Sequence, residues 1–220
     1  MQTILLLTFA ALANAAWSGG QGNAYAFICN WLDEDVYVSW NVNSADMRKP
    51  EARKLEPHGC WVEELEPTFS GSFSTGLRNN TECPAVGYKR DRDTKTEISN
   101  IPEKLALAFD VDLEKGASVP IVVRMPSADG NTTVRAGCSV DKLAACPPEM
   151  QIWEDDKLVN CVRNDDSPAS LDFFRHGCPD IYVQPDDHQA MKTGEGPVAY
   201  VDIGTPLWQK DNADLVDFPR

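Results

Sequence analysis

The sequence predicts an antiparallel β-sandwich or barrel. Short runs rich in aromatic and β-branched residues recur through its first half, and Gly, Pro, Asn and Asp separate them. No strand–helix alternation of a parallel sheet is visible, and there is no internal repeat. "AYAFICN" and "DVYVSWNV", separated by Asp33-Glu34-Asp35, are expected to form two strands of a hairpin. "CWVEELE", "GSFSTGL", "KLALAFDVDL" and "VPIVVRM" continue the pattern to about residue 136. From 137 to 180 the character changes. Cys138, Cys146, Cys161 and Cys178 cluster in a loop-rich insertion. Within it "SPASLDFFRHG" predicts a helix over 168–176, with Ser167 as N-cap, Pro168 at the first helical position and Gly177 at the stop. Strands return near 181–184 and at 198–203, within a closing segment 181–204, and the tail 205–220 has no period.

The first fifteen residues carry an apolar run, Ile4 to Leu12, and a small-x-small site, Ala13-Asn14-Ala15. The run is far shorter than the ~20 apolar residues that cross a bilayer, so residues 1–15 are read as a secretory signal peptide. The remainder, from residue 16, is expected to be a soluble extracellular protein. Thirty-four acidic residues against twenty basic ones give a formal net charge of −14. That charge argues against nucleic acid and anionic membranes as partners, because both recruit basic patches. Seven cysteines with no Cys-x-x-Cys predict disulfides rather than zinc. Nothing calls for a cofactor or a metal, since His58, His176 and His188 lack metal-site spacing. Asn79 and Asn131 begin glycosylation sequons.

Four segments in order carry a family resemblance. "DVDLEKGASVPIVV", "CPPEMQIWEDDKLVNC", "FFRHGCPDIYVQPDD" and "PVAYVDIG" resemble stretches of thaumatin-like proteins. The resemblance implies a two-sheet sandwich, a disulfide-containing loop and helix insertion beside it, and an acidic cleft between them. The family's pairing implies Cys138–Cys178 and Cys146–Cys161. The cysteine set is much reduced here, and the family's C-terminal cysteine is missing where Asp202 or Ile203 stands. Cys29, Cys60 and Cys83 leave one further pair, expected to be Cys60–Cys83.

The family's cleft consists of one Arg, one Glu and three Asp. Carried over residue by residue, it implies Arg78, Glu97, Asp110 and Asp180, with Lys115 standing where the remaining Asp belongs. Asp180 follows a Cys-Pro corner that either aims it into the cleft or leaves it as a turn cap. Glu97 and Asp180 are the implied catalytic carboxylates, and Arg78, Asp110 and Lys115 the implied substrate contacts. Glycoside hydrolysis needs one protonated and one ionised carboxyl. A cation at Lys115 favours ionised neighbours and so opposes a general acid. Alternation along a strand would turn Glu114 away from Lys115.

Two functions follow. One is a carbohydrate-binding protein for a β-1,3-glucan-type polysaccharide, with at most weak endo-β-1,3-glucanase-type hydrolysis. The other is a non-enzymatic extracellular defence, effector or inhibitor protein that binds another protein. Trp153, in the insertion, is the tryptophan best placed to act as a sugar platform.

Overall fold

The computed structural model describes residues 23–42, 52–78, 92–127, 132–164, 167–178 and 180–205. The signal-peptide segment, both sequon asparagines, Cys83 and the tail from 206 lie outside these residues.

Two large sheets face each other. The first has five strands in the order β10 (Thr133–Cys138), β9 (Ile121–Pro126), β14 (Val198–Ile203), β1 (Ala24–Asn30) and β4 (Cys60–Leu65). The second has six, in the order β13 (Lys192–Glu195), β7 (Ala106–Asp112), β6 (Thr94–Ile101), β5 (Ser70–Gly76), β2 (Val36–Val42) and β3 (Ala52–Leu55). Every pairing within them is antiparallel except β1 with β14, which is parallel.

Alternation explains the layering. In β6 every second residue is buried, and in β7 Leu107, Phe109 and Val111 point the same way as Ile98. Ile28, Trp61, Ile121, Val123 and Val201 face them from the five-stranded sheet within one continuous core. Trp61 of β4 meets Phe73 of β5 edge to face at 6.1 Å, a direct aromatic contact between the sheets.

The expected hairpin of the first two strands does not form. β1 and β2 lie in different sheets, so the chain crosses the sandwich between them. Asn30 organises that crossing. It is fully buried, its Nδ2 donates to the carbonyls of Glu34, Leu55 and Glu56, and its Oδ1 accepts from the N–H of Leu32. A buried amide with these partners holds the turn open across the sheets, where a tight hairpin would leave it unsatisfied.

The small third sheet comprises β11 (Gln151–Glu154), β12 (Lys157–Val162) and β8 (Gly116–Ala117). β8 follows directly after β7, so it moors the β11–β12 hairpin to the sandwich. Helix α1 (Pro168–Arg175) is capped by Ser167, whose hydroxyl accepts from the N–H of Ser170, and Phe174 is fully buried. At its other end the buried Lys142 ammonium donates to the carbonyls of Phe173 and His176, at 2.8 and 2.5 Å. Residues 181–184 form no strand. Asp180 and Tyr182 instead make isolated bridges, to Gly137 and Asp112 respectively.

Cys138–Cys178 and Cys146–Cys161 are bonded, in the pairing the resemblance implies. The third bridge corrects the expectation of Cys60–Cys83. Cys29 pairs with Cys60, because these two residues are direct partners across β1 and β4, with Cα atoms 4.1 Å apart. The partnership spans 31 residues and depends on which strands become neighbours.

The Cys138–Cys178 bridge closes a 40-residue segment holding the hairpin and α1. A Cys138→Ser/Cys178→Ser variant is expected to lose about 2–4 kcal/mol of stability. Denaturant unfolding of the double variant beside the parent measures this, and an unchanged midpoint would contradict it.

Candidate functional site

The outer face of the six-stranded sheet, opposite the core, is polar. Register sets Ser72 opposite Glu97 and Glu97 opposite Asp110, and one step along it sets Ser74 opposite Lys95 and Lys95 opposite Asp112. Residues directly opposite share a face, so these six side chains form two adjoining rows. Ser70 and Ser99 extend the face, with their hydroxyl oxygens 3.0 Å apart.

Lys95 is the electrostatic centre of this group. Its ammonium lies 2.8 Å from Glu97 and 2.6 Å from Asp112. Burial lowers its proton affinity, but the bonds to Asp112 and Glu97 outweigh burial and hold it charged. Asp112 has a second commitment, because its Oδ1 accepts from the N–H of Glu114 at 2.6 Å and shapes the turn after β7.

Asp110 is different. It is 4 % exposed, and its Oδ1 is buried without a hydrogen-bond partner. Burial pushes its carboxyl up to about 7, and the charges of Glu97 and Asp112 add to the push, while Lys95 opposes it. Glu97 reaches solvent, with 42 % of its side chain exposed. The register therefore puts an exposed carboxylate directly across from a buried carboxyl that holds its proton to near neutrality.

Asp180 does not join this pair. Its carboxylate binds Lys192 of β13 at 2.8 Å, and its carbonyl accepts from the N–H of Gly137. Two residues on, Tyr182 docks against β7, donating its N–H to the Val111 carbonyl and accepting from the N–H of Leu113. Its hydroxyl donates to the Pro185 carbonyl at 2.5 Å, and burial followed by the charges of Asp110, Glu114, Asp112 and Asp187 raises its pKa. Arg78 follows β5 and points to the insertion, where its Nε lies 3.2 Å from Glu154. Lys115 lies 3.4 Å from Glu114. The two sit in a turn, so the strand alternation expected to separate them does not operate. The cation held between carboxylates is Lys95.

Lys95, Asp112, Tyr182 and Lys192 were not among the residues the resemblance nominated. Lys95 was legible in "TKTEISN", where alternation puts it on the Glu97 face. Lys192 had no such signal, since its contact depends on β13 joining β7. Among the described residues, no cluster of three His, Cys, Asp or Glu side chains is arranged to hold a metal.

No profile of a known protein family matches the sequence, and no curated protein matches it by sequence. Solved structures do match. The protein elicitor MoHrip2 from Magnaporthe oryzae is 11 % identical with a TM-score of 0.40, over 83 % of this chain and 99 % of its own. The thaumatin-like xylanase inhibitor TLXI is 12 % identical with a TM-score of 0.42, over 81 % and 97 %. A laminaripentaose-producing β-1,3-glucanase, solved with laminaritetraose, is 14 % identical with a TM-score of 0.45, over 72 % of this chain and 56 % of its own. The layout itself is two facing sheets with an insertion closed by Cys138–Cys178 and crossed internally by Cys146–Cys161. This is the mainly antiparallel β-sandwich with a disulfide-closed insertion that the resemblance implies. The cysteine set forms both bridges of the insertion and Cys29–Cys60 within the five-stranded sheet.

The Asp110 environment makes a signed prediction. Its proton is bound more tightly in the folded state than in the unfolded chain. Its contribution to stability is therefore fully present below about pH 4 and is lost as pH rises through about 7. An Asp110→Asn variant should match the parent near pH 4 and exceed it at pH 8, by up to ~4 kcal/mol. Unfolding curves at the two pH values measure this, and an advantage independent of pH would contradict it.

Proposed function

We propose that this is a secreted carbohydrate-binding protein whose ligand is a hydroxyl-rich polysaccharide of the β-1,3-glucan type. The glycan lies along the outer face of the six-stranded sheet, with hydrolysis weak at most. The observation that carries this reading is the pair of polar rows, Ser72–Glu97–Asp110 and Ser74–Lys95–Asp112. The exposed Glu97 carboxylate accepts hydrogen bonds from sugar hydroxyls and the part-exposed Lys95 ammonium donates them, while the buried members of the rows hold these two in place. Arg78 and Asp180 lie beyond these rows and serve as its flanks, and Lys115 acts through Glu114.

The same geometry supports low hydrolytic power. Glu97 and Asp110 meet the formal need for one ionised and one protonated carboxyl. Yet the proton-holding group is the buried one, and the exposed Glu97 is engaged by Lys95. A general acid must reach the leaving oxygen, and Asp110 is withdrawn from it.

Secretion is supported by three disulfides, which persist in oxidising compartments, and by the apolar N-terminal segment. A protein-binding role would draw on a contiguous apolar patch. The exposed large apolar side chains among the described residues, Val62, Leu105, Val140, Trp153 and Met191, instead come from five separate stretches of the chain, two in strands β4 and β11 and three between elements.

Co-sedimentation with insoluble β-1,3-glucan tests the proposal. The parent should pellet with the polysaccharide, and Glu97→Gln should weaken binding by roughly tenfold or more, the usual worth of a charged hydrogen bond. Released reducing sugar should stay close to background. Absence of the parent from the pellet would overturn the reading.

A further inference from the structure

Trp153 is the most exposed large apolar side chain among the described residues, at 58 %. Such exposure in a well-built segment needs an account, and the hairpin around it is well built. The indole N–H donates to Gln151 Oε1 at 2.9 Å, and Gln151 Nε2 donates to the Cys146 carbonyl at 2.8 Å. Cys146 is bonded to Cys161, and Cys161 is the strand partner of Gln151. The ring is thus tied through the Gln151 side chain to the carbonyl of a disulfide-bonded cysteine. Both sides of the hairpin are anchored as well: Glu154 to Arg78 at 3.2 Å and Lys157 to Glu34 at 2.5 Å.

Two backbone features aim the ring outward. The register shifts between Ile152 and Trp153, and such a bulge reorients the side chains beside it. The two-residue turn that follows places Asp155 and Asp156 at φ +48° and +62°. Left-handed backbone at both positions belongs to the tight hairpin turn that matches strand twist, and Asp tolerates it better than most residues.

Because the indole N–H is already satisfied, what remains to a ligand is the ring face. Its sequence neighbours Glu154, Asp155, Asp156 and Lys157 are all exposed and charged. One aromatic ring in charged surroundings covers far less than the ~1,000 Å² of a stable protein interface. It matches the size of a single sugar ring. The C–H face of a pyranose is weakly positive and complements the negative face of the π system, while carboxylates at the rim accept its hydroxyl hydrogens.

We propose that Trp153 is the stacking platform of a carbohydrate subsite on the β11–β12 hairpin, taking one neutral pyranose ring with Asp155 and Asp156 as hydroxyl acceptors. This rests on the glycan-binding reading above and extends it to residues outside the six-stranded sheet. The indole is already held by Gln151 before a ligand arrives, which lowers the ordering that binding must impose.

Calorimetric titration of the full chain with soluble β-1,3-gluco-oligosaccharides tests the subsite, using the parent, Trp153→Ala, Trp153→Phe and Glu97→Gln. The expected result is a loss of affinity of tenfold or more in Trp153→Ala, partial retention in Trp153→Phe, and an unchanged melting temperature in both. Loss in Glu97→Gln with none in Trp153→Ala would overturn the subsite and leave the sheet face as the binding site. Loss in Trp153→Ala with none in Glu97→Gln would keep the subsite and remove the sheet face. A parent that binds no oligosaccharide would overturn both. Binding of oligolysine through Trp153, with no sugar binding, would assign the ring to cations and overturn the sugar assignment.

Discussion

Strand β7 has one edge left after pairing with β6, and two segments share it. β13 takes residues 106–109, and Tyr182 takes the stretch from Val111 to Leu113. Both must be in place before the edge is satisfied, because unpaired backbone groups at a buried position are costly. The second claimant stands four residues beyond Cys178, where the Cys138 bridge closes the insertion. One strand edge therefore couples the sandwich, the insertion and the polar face. The core side of β7 carries Leu107, Phe109 and Val111, and its other side carries Asp110 and Asp112. Tilting β7 would disturb the core and the carboxylates together.

The charges on that face are held in balance by position. Lys95 bonds Glu97 and Asp112 and leaves Asp110, the most buried of the three carboxyls, to stay neutral. A second cation would relieve Asp110 and remove its proton. An apolar residue in place of Lys95 would leave Glu97 and Asp112 without the cation that both bond. The arrangement sets three acids and one ammonium within two strand rows, two of the acids paired to the ammonium and the third buried.

Much of this was legible in the sequence because it depends on local pattern. Two-residue alternation in "TKTEISN" and "ALAFDVD" fixes which side chains share a face, and the Ser-Pro start and Gly177 stop delimit α1. The bridges of the insertion came from resemblance, not from spacing. What the pattern misses are choices of neighbour. Alternation marks "AYAFICN" as a strand but cannot say that it joins β14 and β4 rather than β2. The misplaced Cys29 partner follows from the same gap. At the site, Glu97 facing Asp110 requires two strands to be adjacent in one register, and the Asp180–Lys192 pair requires a third. Lys95 lies on the same face by alternation, but the resemblance specifies acids there and not the cation between them.

The parallel pairing of β1 with β14 has a consequence for the order in which the protein can be made. β14 lies at the centre of the five-stranded sheet, between β9 and β1. Without it that sheet is two separate ribbons, β10–β9 and β1–β4. The strand is also almost the last described segment to leave the ribosome, while its partner is the first. No growing chain can close this sheet until residue 203 has emerged. Contacts between such distant parts of a chain form slowly. For a protein read as exported, that delay leaves the five-stranded sheet open while the earlier strands emerge, a state suited to threading across a membrane before Cys29 and Cys60 meet an oxidant.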